Sequence, residues 1–267
     1  MGQLITLPGV TAAAAAGAPR IDTNAADAAA AKIASLKHAF SARSLYSLSG
    51  GGVTSRCRLT GAPMVPKGNV SNLSLTAVAG MPALAALVGS ALALPAGSLT
   101  RSYTLVAAVA IDGNDSAAAA AANLLAGMDG NDAYIATILR YYGAGSASPN
   151  TNVFATAGSS TTVVTAAPRK TRPAGTWAIV IIDLNHLSKV LSLSVNEIAT
   201  PATQVLASVL EPSASSYLEM GYHLSAGLSN SKVGDLYTFD SSLMSTDLGK
   251  SQLAALVSSL KSVYGIA

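Results

Sequence analysis

The stretch Thr176-Trp-Ala-Ile-Val-Ile-Ile-Asp-Leu-Asn-His-Leu-Ser-Lys-Val-Leu-Ser-Leu-Ser-Val195 decides the fold. Trp177, Ile179 and Ile181 fall on one face of an extended chain, and Ala178, Val180 and Ile182 on the other, because successive side chains of a strand point to opposite sides. A short polar turn over Asn185–Lys189 then leads into Val190–Val195, so the whole reads as a β-hairpin. With both faces apolar, the first of these strands belongs in the middle of a sheet that is covered on both sides.

Working outward, Ser102–Ile111 repeats the pattern, with Tyr103, Leu105, Ala107, Val109 and Ile111 on one face and an apolar opposite face. Tyr134–Tyr142 is half-exposed in pattern and suits an edge or the lining of a groove. Tyr217–Tyr222 and Val233–Phe239 supply further strands. Short extended runs broken by turn residues predict an all-β chain, and no amphipathic helices of the length needed for a parallel α/β sheet separate them. One helix is predicted at the C-terminus over 246–263, where Leu248, Leu253, Leu256, Val257, Leu260 and Val263 form one apolar stripe that Gly265 ends. Residues 1–35, Ala-rich with Pro8 and Pro19, read as an arm or linker, partly helical, with Asn24 as a cap. The expected division is therefore an arm over 1–35 and a sandwich over 36–267.

Composition narrows the function. Charged residues are 11% of the 267, and 16 basic against 13 acidic leave +3, too little for a basic nucleic-acid face. The single Cys57 excludes an internal disulfide and a cysteine-based zinc site. Leu75–Leu99 lacks charge, but Gly80, Pro82, Gly89, Pro95 and Gly97 would break a membrane helix, so buried strands are expected there. The start of the chain lacks the basic residues and compact apolar core of a secretory signal. Neither nucleic acid nor membrane insertion is expected.

In chain order, certain motifs resemble the concanavalin A-like, or laminin G-like, domains of bacteriophage tail and tail-fibre proteins. They are Leu36-Lys37-His38-Ala39-Phe40-Ser41-Ala42-Arg43-Ser44-Leu45 with the turn Gly50–Ser55, Gly80-Met81-Pro82-Ala83-Leu84 with Leu92-Ala93-Leu94-Pro95, then Ser102–Val106, Trp177–Val180 with Leu191–Asn196, and Lys232–Asp240. The sequence departs from that pattern at Arg56, where many relatives place a Trp. The resemblance implies a two-sheet antiparallel jelly-roll sandwich. It further implies a virion protein, a tail-fibre or tail-tip component that attaches to a host-surface glycan. Other virion proteins would meet its N-terminal arm, and it would self-associate, a trimer being common in such fibres. A purely structural capsid or tail decoration protein is the alternative, and a polysaccharide depolymerase a further one.

Candidate chemistry is sparse. Glycoside hydrolysis needs two carboxylates facing across a groove, and no strand carries Glu and Asp at alternate positions. Glu197, Glu211 and Glu219 stand apart, and Glu219 or Asp235 would be the residues to test. No nucleophile elbow and no metal-binding His pair occurs, and His38, His186 and His223 are scattered. The chain is therefore expected not to be an enzyme and to need no cofactor. Asp-Gly-Asn-Asp appears twice, and Asp112, Asp115, Asp129 and Asp132 read either as calcium ligands or as two tight turns. Tyr134, Tyr141 and Tyr142 are candidates for stacking on sugar rings or for core packing. Arg169, Lys170 and Arg172 are candidates for an anionic glycan, or form a solvated loop.

Overall fold

A computed structural model describes residues 24–110, 121–142, 152–155, 169–171, 177–224, 228 and 231–267. Helix α1 (Ala25–Ala30) leads into strands β1 (Leu36–Ser41), β2 (Tyr46–Ser47), β3 (Val53–Thr54), β4 (Val65–Gly68), β5 (Leu73–Val78), β6 (Met81–Ala86), β7 (Ser90–Ala93) and β8 (Tyr103–Ala110). Then follow β9 (Ala121–Met128), β10 (Tyr134–Tyr142), β11 (Asn152–Ala155), β12 (Arg169–Thr171), β13 (Trp177–Asn185), β14 (Val190–Val195), β15 (Ala202–Val205), β16 (Tyr217–Gly221), β17 (Lys232–Phe239) and α2 (Asp247–Tyr264). The architecture is the expected all-β, antiparallel, two-sheet sandwich with a closing helix.

The first sheet runs β15-β14-β13-β8-β17-β6-β5, with β1 added against β17. The predicted hairpin is present, Asn185 pairing with Val190, and β13 lies against β8 with Trp177 opposite Ala110. Both strands are central, as their two apolar faces require. The second sheet runs β12-β11-β10-β9-β16-β7-β4, which puts β10 inside it rather than at an edge. The uncharged stretch from Leu75 to Leu99 forms parts of β5, β6 and β7, in different sheets. Among the described residues no helix is long and apolar enough to cross a membrane.

Two apolar layers follow from strand alternation. Between the sheets, Leu105, Val109, Val180, Ile182 and Leu193 of the first sheet meet Leu92, Leu125, Ile138, Leu218 and Met220 of the second, with Cys57 buried among them. On the far side of the first sheet, Val106, Trp177, Ile179, Ile181 and Tyr237 pack under Leu253, Leu256, Val257 and Leu260 of α2. Thr246 caps α2 by accepting from the Gly249 amide, and Gly265 ends it in the left-handed conformation at φ 64°, where a residue without Cβ fits best.

Helix α1 joins this second layer through Ala26 and Ala30, with Ile33 beyond it. Asn24 accepts from the amides of Ala26 and Asp27, and the Asp27 carboxylate accepts from the Asn24 amide, a reciprocal capping box. The Asp27 carboxylate also meets Arg58 at 2.8 Å and the Tyr237 hydroxyl at 2.8 Å. Helices thus seal the first sheet, while no described helix covers the outer face of the second.

Candidate functional site

That outer face is assembled from alternate residues of neighbouring strands. In β16, Leu218 and Met220 enter the inter-sheet core, so Tyr217 and Glu219 point outward. Register then places Met128 opposite Tyr217, Ala126 and Ala93 opposite Glu219, Tyr134 opposite Met128, and Lys67 opposite Ala91. Alanines at 91, 93 and 126 make a low floor, and the long polar and aromatic side chains stand around it.

Three groups form one chain of contacts. The Lys67 ammonium donates to both oxygens of Asp132, at 2.7 and 2.8 Å, and lies 5.3 Å from the centre of the Tyr217 ring. The Tyr217 hydroxyl donates to Asp132 Oδ1 at 2.6 Å. Lys67 and Tyr217 together hold the Asp132 carboxyl below its ordinary range, the hydrogen bond from Lys67 contributing most. Burial, and then the hydrogen bond to Asp132, push the Tyr217 phenol upward, so Tyr217 stays a donor. The Asp132 side chain is 47% exposed: an ionised acceptor that is oriented and still open to solvent.

Beside it the Tyr134 and Tyr222 rings lie 5.0 Å apart at 43°, both half-buried and packed on the small cluster of Ala93, Ala126, Met128 and Tyr217. Glu219 is fully buried. Its Oε1 accepts from the His223 amide at 3.1 Å, and its Oε2 lies 2.9 Å from His223 Nδ1. Burial raises the Glu219 acid, while His223 draws it partly back. Gly221, at φ 94°, makes the turn that folds His223 onto Glu219, and a Cβ there would stand 2.9 Å from the Ser90 carbonyl.

Of the sequence candidates, Tyr134 and Asp132 meet on this face. Asp129 serves the turn next to it, its Oδ1 accepting from the amides of Asn131 and Ala133 at 2.8 Å each. Asp112, Asp115 and Arg172 lie outside the described residues. Tyr141 and Tyr142 lie on β10, and Arg169 and Lys170 on β12 at the end of the same sheet. No group of three or more His, Cys, Asp or Glu side chains suited to a metal is present among the described residues. Asp235 is buried in the first sheet and does not share a face with Glu219. Lys67, Tyr217 and Tyr222 carry no chemical signal in the sequence, and His223 reads there only as one of three scattered histidines. The Glu219–His223 spacing of four was the one available signal, but that spacing reads as a helix pair and these residues lie on a strand and its turn.

No family model matches the sequence, and no curated protein does. Solved structures do. Trypanosoma rangeli sialidase matches with a TM-score of 0.55 at 16% identity, over 84% of this chain and 33% of that one. Domain 4 of AbnA, a GH43 extracellular arabinanase from Geobacillus stearothermophilus, in complex with arabinotriose, matches with a TM-score of 0.53 at 13% identity, over 83% of this chain and 98% of that one. The likeness is one of fold. The chain spans about a third of the length of the sialidase it matches.

This overturns the expectation that the chain is not an enzyme, since both matched structures come from enzymes. The expectation rested on the lack of alternating Glu and Asp along one strand. A sheet face, however, is built across strands: Tyr217 and Asp132, 85 positions apart, share a hydrogen bond, and Glu219 stands on the same face.

Proposed function

We propose that this chain is a glycan-binding sandwich whose site is the outer face of the second sheet. The observation that carries the reading is the half-buried Tyr134–Tyr222 pair beside the Lys67–Asp132–Tyr217 contacts, on the sheet face that no described helix covers. Aromatic faces take the C–H side of a sugar, and oriented charged acceptors take its hydroxyls. The arabinotriose held by the arabinanase domain of like fold supports the same reading. In finer form, the domain attaches a phage tail fibre or tail tip to a host glycan, with the arm over 1–35 meeting other virion proteins; the order of sequence motifs is what supports this.

The test removes the rings. The Tyr134→Ala, Tyr222→Ala double variant should bind immobilised glycans about tenfold more weakly, a loss of about 1.4 kcal/mol, while melting within a few degrees of the parent. Unchanged affinity on a glycan array would end this assignment of the site. Labelled protein that fails to adsorb to any bacterial surface would count against the attachment role.

A further inference from the structure

We infer, on the basis of the glycan-binding reading above, that this face selects a neutral saccharide, held through neighbouring hydroxyls on Asp132, and turns away sugars that carry a carboxylate. The charge balance points this way. On the face and in the turn beside it, the Asp132 and Asp129 carboxylates stand against the Lys67 ammonium, while Glu219 and His223 are engaged with each other. Lys67 is already matched by a carboxylate, two of its three N–H donors going to the oxygens of Asp132 with the ammonium near the Tyr217 ring, and His223 faces Glu219.

Hydrogen-bonding capacity points the same way. A carboxylate offers about four acceptor positions. On Asp132, Oδ1 accepts from Lys67 and Tyr217, and Oδ2 accepts from Lys67. Oδ2 therefore has room for a further donor, on a side chain that is nearly half exposed. A sugar hydroxyl supplies a donor, and a sugar carboxylate supplies only repulsion. The backbone adds to the case. Asp132 adopts φ 63°, the left-handed conformation that aspartate tolerates in tight turns. It presents the carboxylate beside Tyr217, and Tyr217 in turn packs with Tyr134 and Tyr222.

The experiment is calorimetric titration of the full chain with neutral trisaccharides (arabinotriose, maltotriose, cellotriose) and with two acidic ones, 3′-sialyllactose and trigalacturonate. At least one neutral sugar should bind, and each acidic one at least tenfold more weakly. Asp132→Asn should weaken the neutral sugar about tenfold and narrow the gap between the two classes. Tyr217→Phe, which removes one donor and keeps the ring, should weaken it less. Acidic sugars binding as well as or better than neutral ones would overturn the inference and leave the glycan-binding reading standing. So would neutral affinity untouched by Asp132→Asn. If no sugar of either class binds, and no intact polysaccharide does, the glycan-binding reading falls and the inference falls with it.

Discussion

Replacing Trp177 by alanine is expected to destabilise the protein by about 4 kcal/mol, near the middle of the range for large aromatic truncations in a core. For a chain of this length that lowers the melting temperature by on the order of 10 °C. The side chain is 3% exposed, its ring lies 4.6 Å from that of Tyr264 on α2, and its indole N–H donates to the Val78 carbonyl at 3.0 Å. Truncation therefore opens a void under the closing helix and leaves the Val78 carbonyl without this donor. Urea unfolding followed by circular dichroism checks it, since Trp177 is the only tryptophan and the variant has no indole fluorescence. Trp177→Phe should recover more than half of the loss. A cost below about 1 kcal/mol for the alanine variant would mean that α2 is not held through this contact.

The second large effect is expected at Asp183. Its buried carboxylate accepts from the Thr104 hydroxyl, from Ser242 Oγ at 2.6 Å and from the Met244 amide at 3.2 Å, and so joins β8 and β13 to the segment that leads into α2. Asp183→Ala leaves one buried donor and two part-buried ones without this acceptor and should cost about 3 kcal/mol. The pH dependence has a definite sign. Burial raises the folded-state acid above its unfolded value, so protonation favours the folded form. The stabilisation from Asp183 is full below the unfolded value of about 3.9 and is lost as pH rises through the folded one. Asp183→Asn cannot ionise, so the decline in stability with rising pH should be shallower in that variant. Equal slopes in the two proteins would show that Asp183 does not titrate in this way.

The sequence made β8 and β13 legible because their apolar pattern is long, β14 because it alternates with serine just past a polar turn, and α2 because its stripe has a cap at each end. Motif order led to the same sandwich. The second sheet was harder to read for a physical reason. Ser90–Ala93 and Ala121–Met128 are short or Ala-rich, and small residues give little contrast between two faces. The site was harder still. Lys67 reaches Asp132 across 65 positions, and only the pairing of β4 with β7, of β7 with β16 and of β16 with β9 brings them together. Asp132 and Tyr134 were visible as candidates because turn aspartates and strand tyrosines stand out singly. Glu219 falls within the strand expected over 217–222, but its partner His223 lies past a glycine turn that no periodicity reports.

The helix that covers the first sheet also sets the timing of biogenesis. A ribosome releases Trp177, Ile179 and Ile181 well before Leu253, Leu256 and Leu260, the residues that will cover them. At typical synthesis rates the interval is on the order of ten seconds. During that time the nascent sandwich presents a bare greasy flank, suited to capture by a chaperone, and a stall or a stop codon ahead of residue 247 would make that exposure permanent.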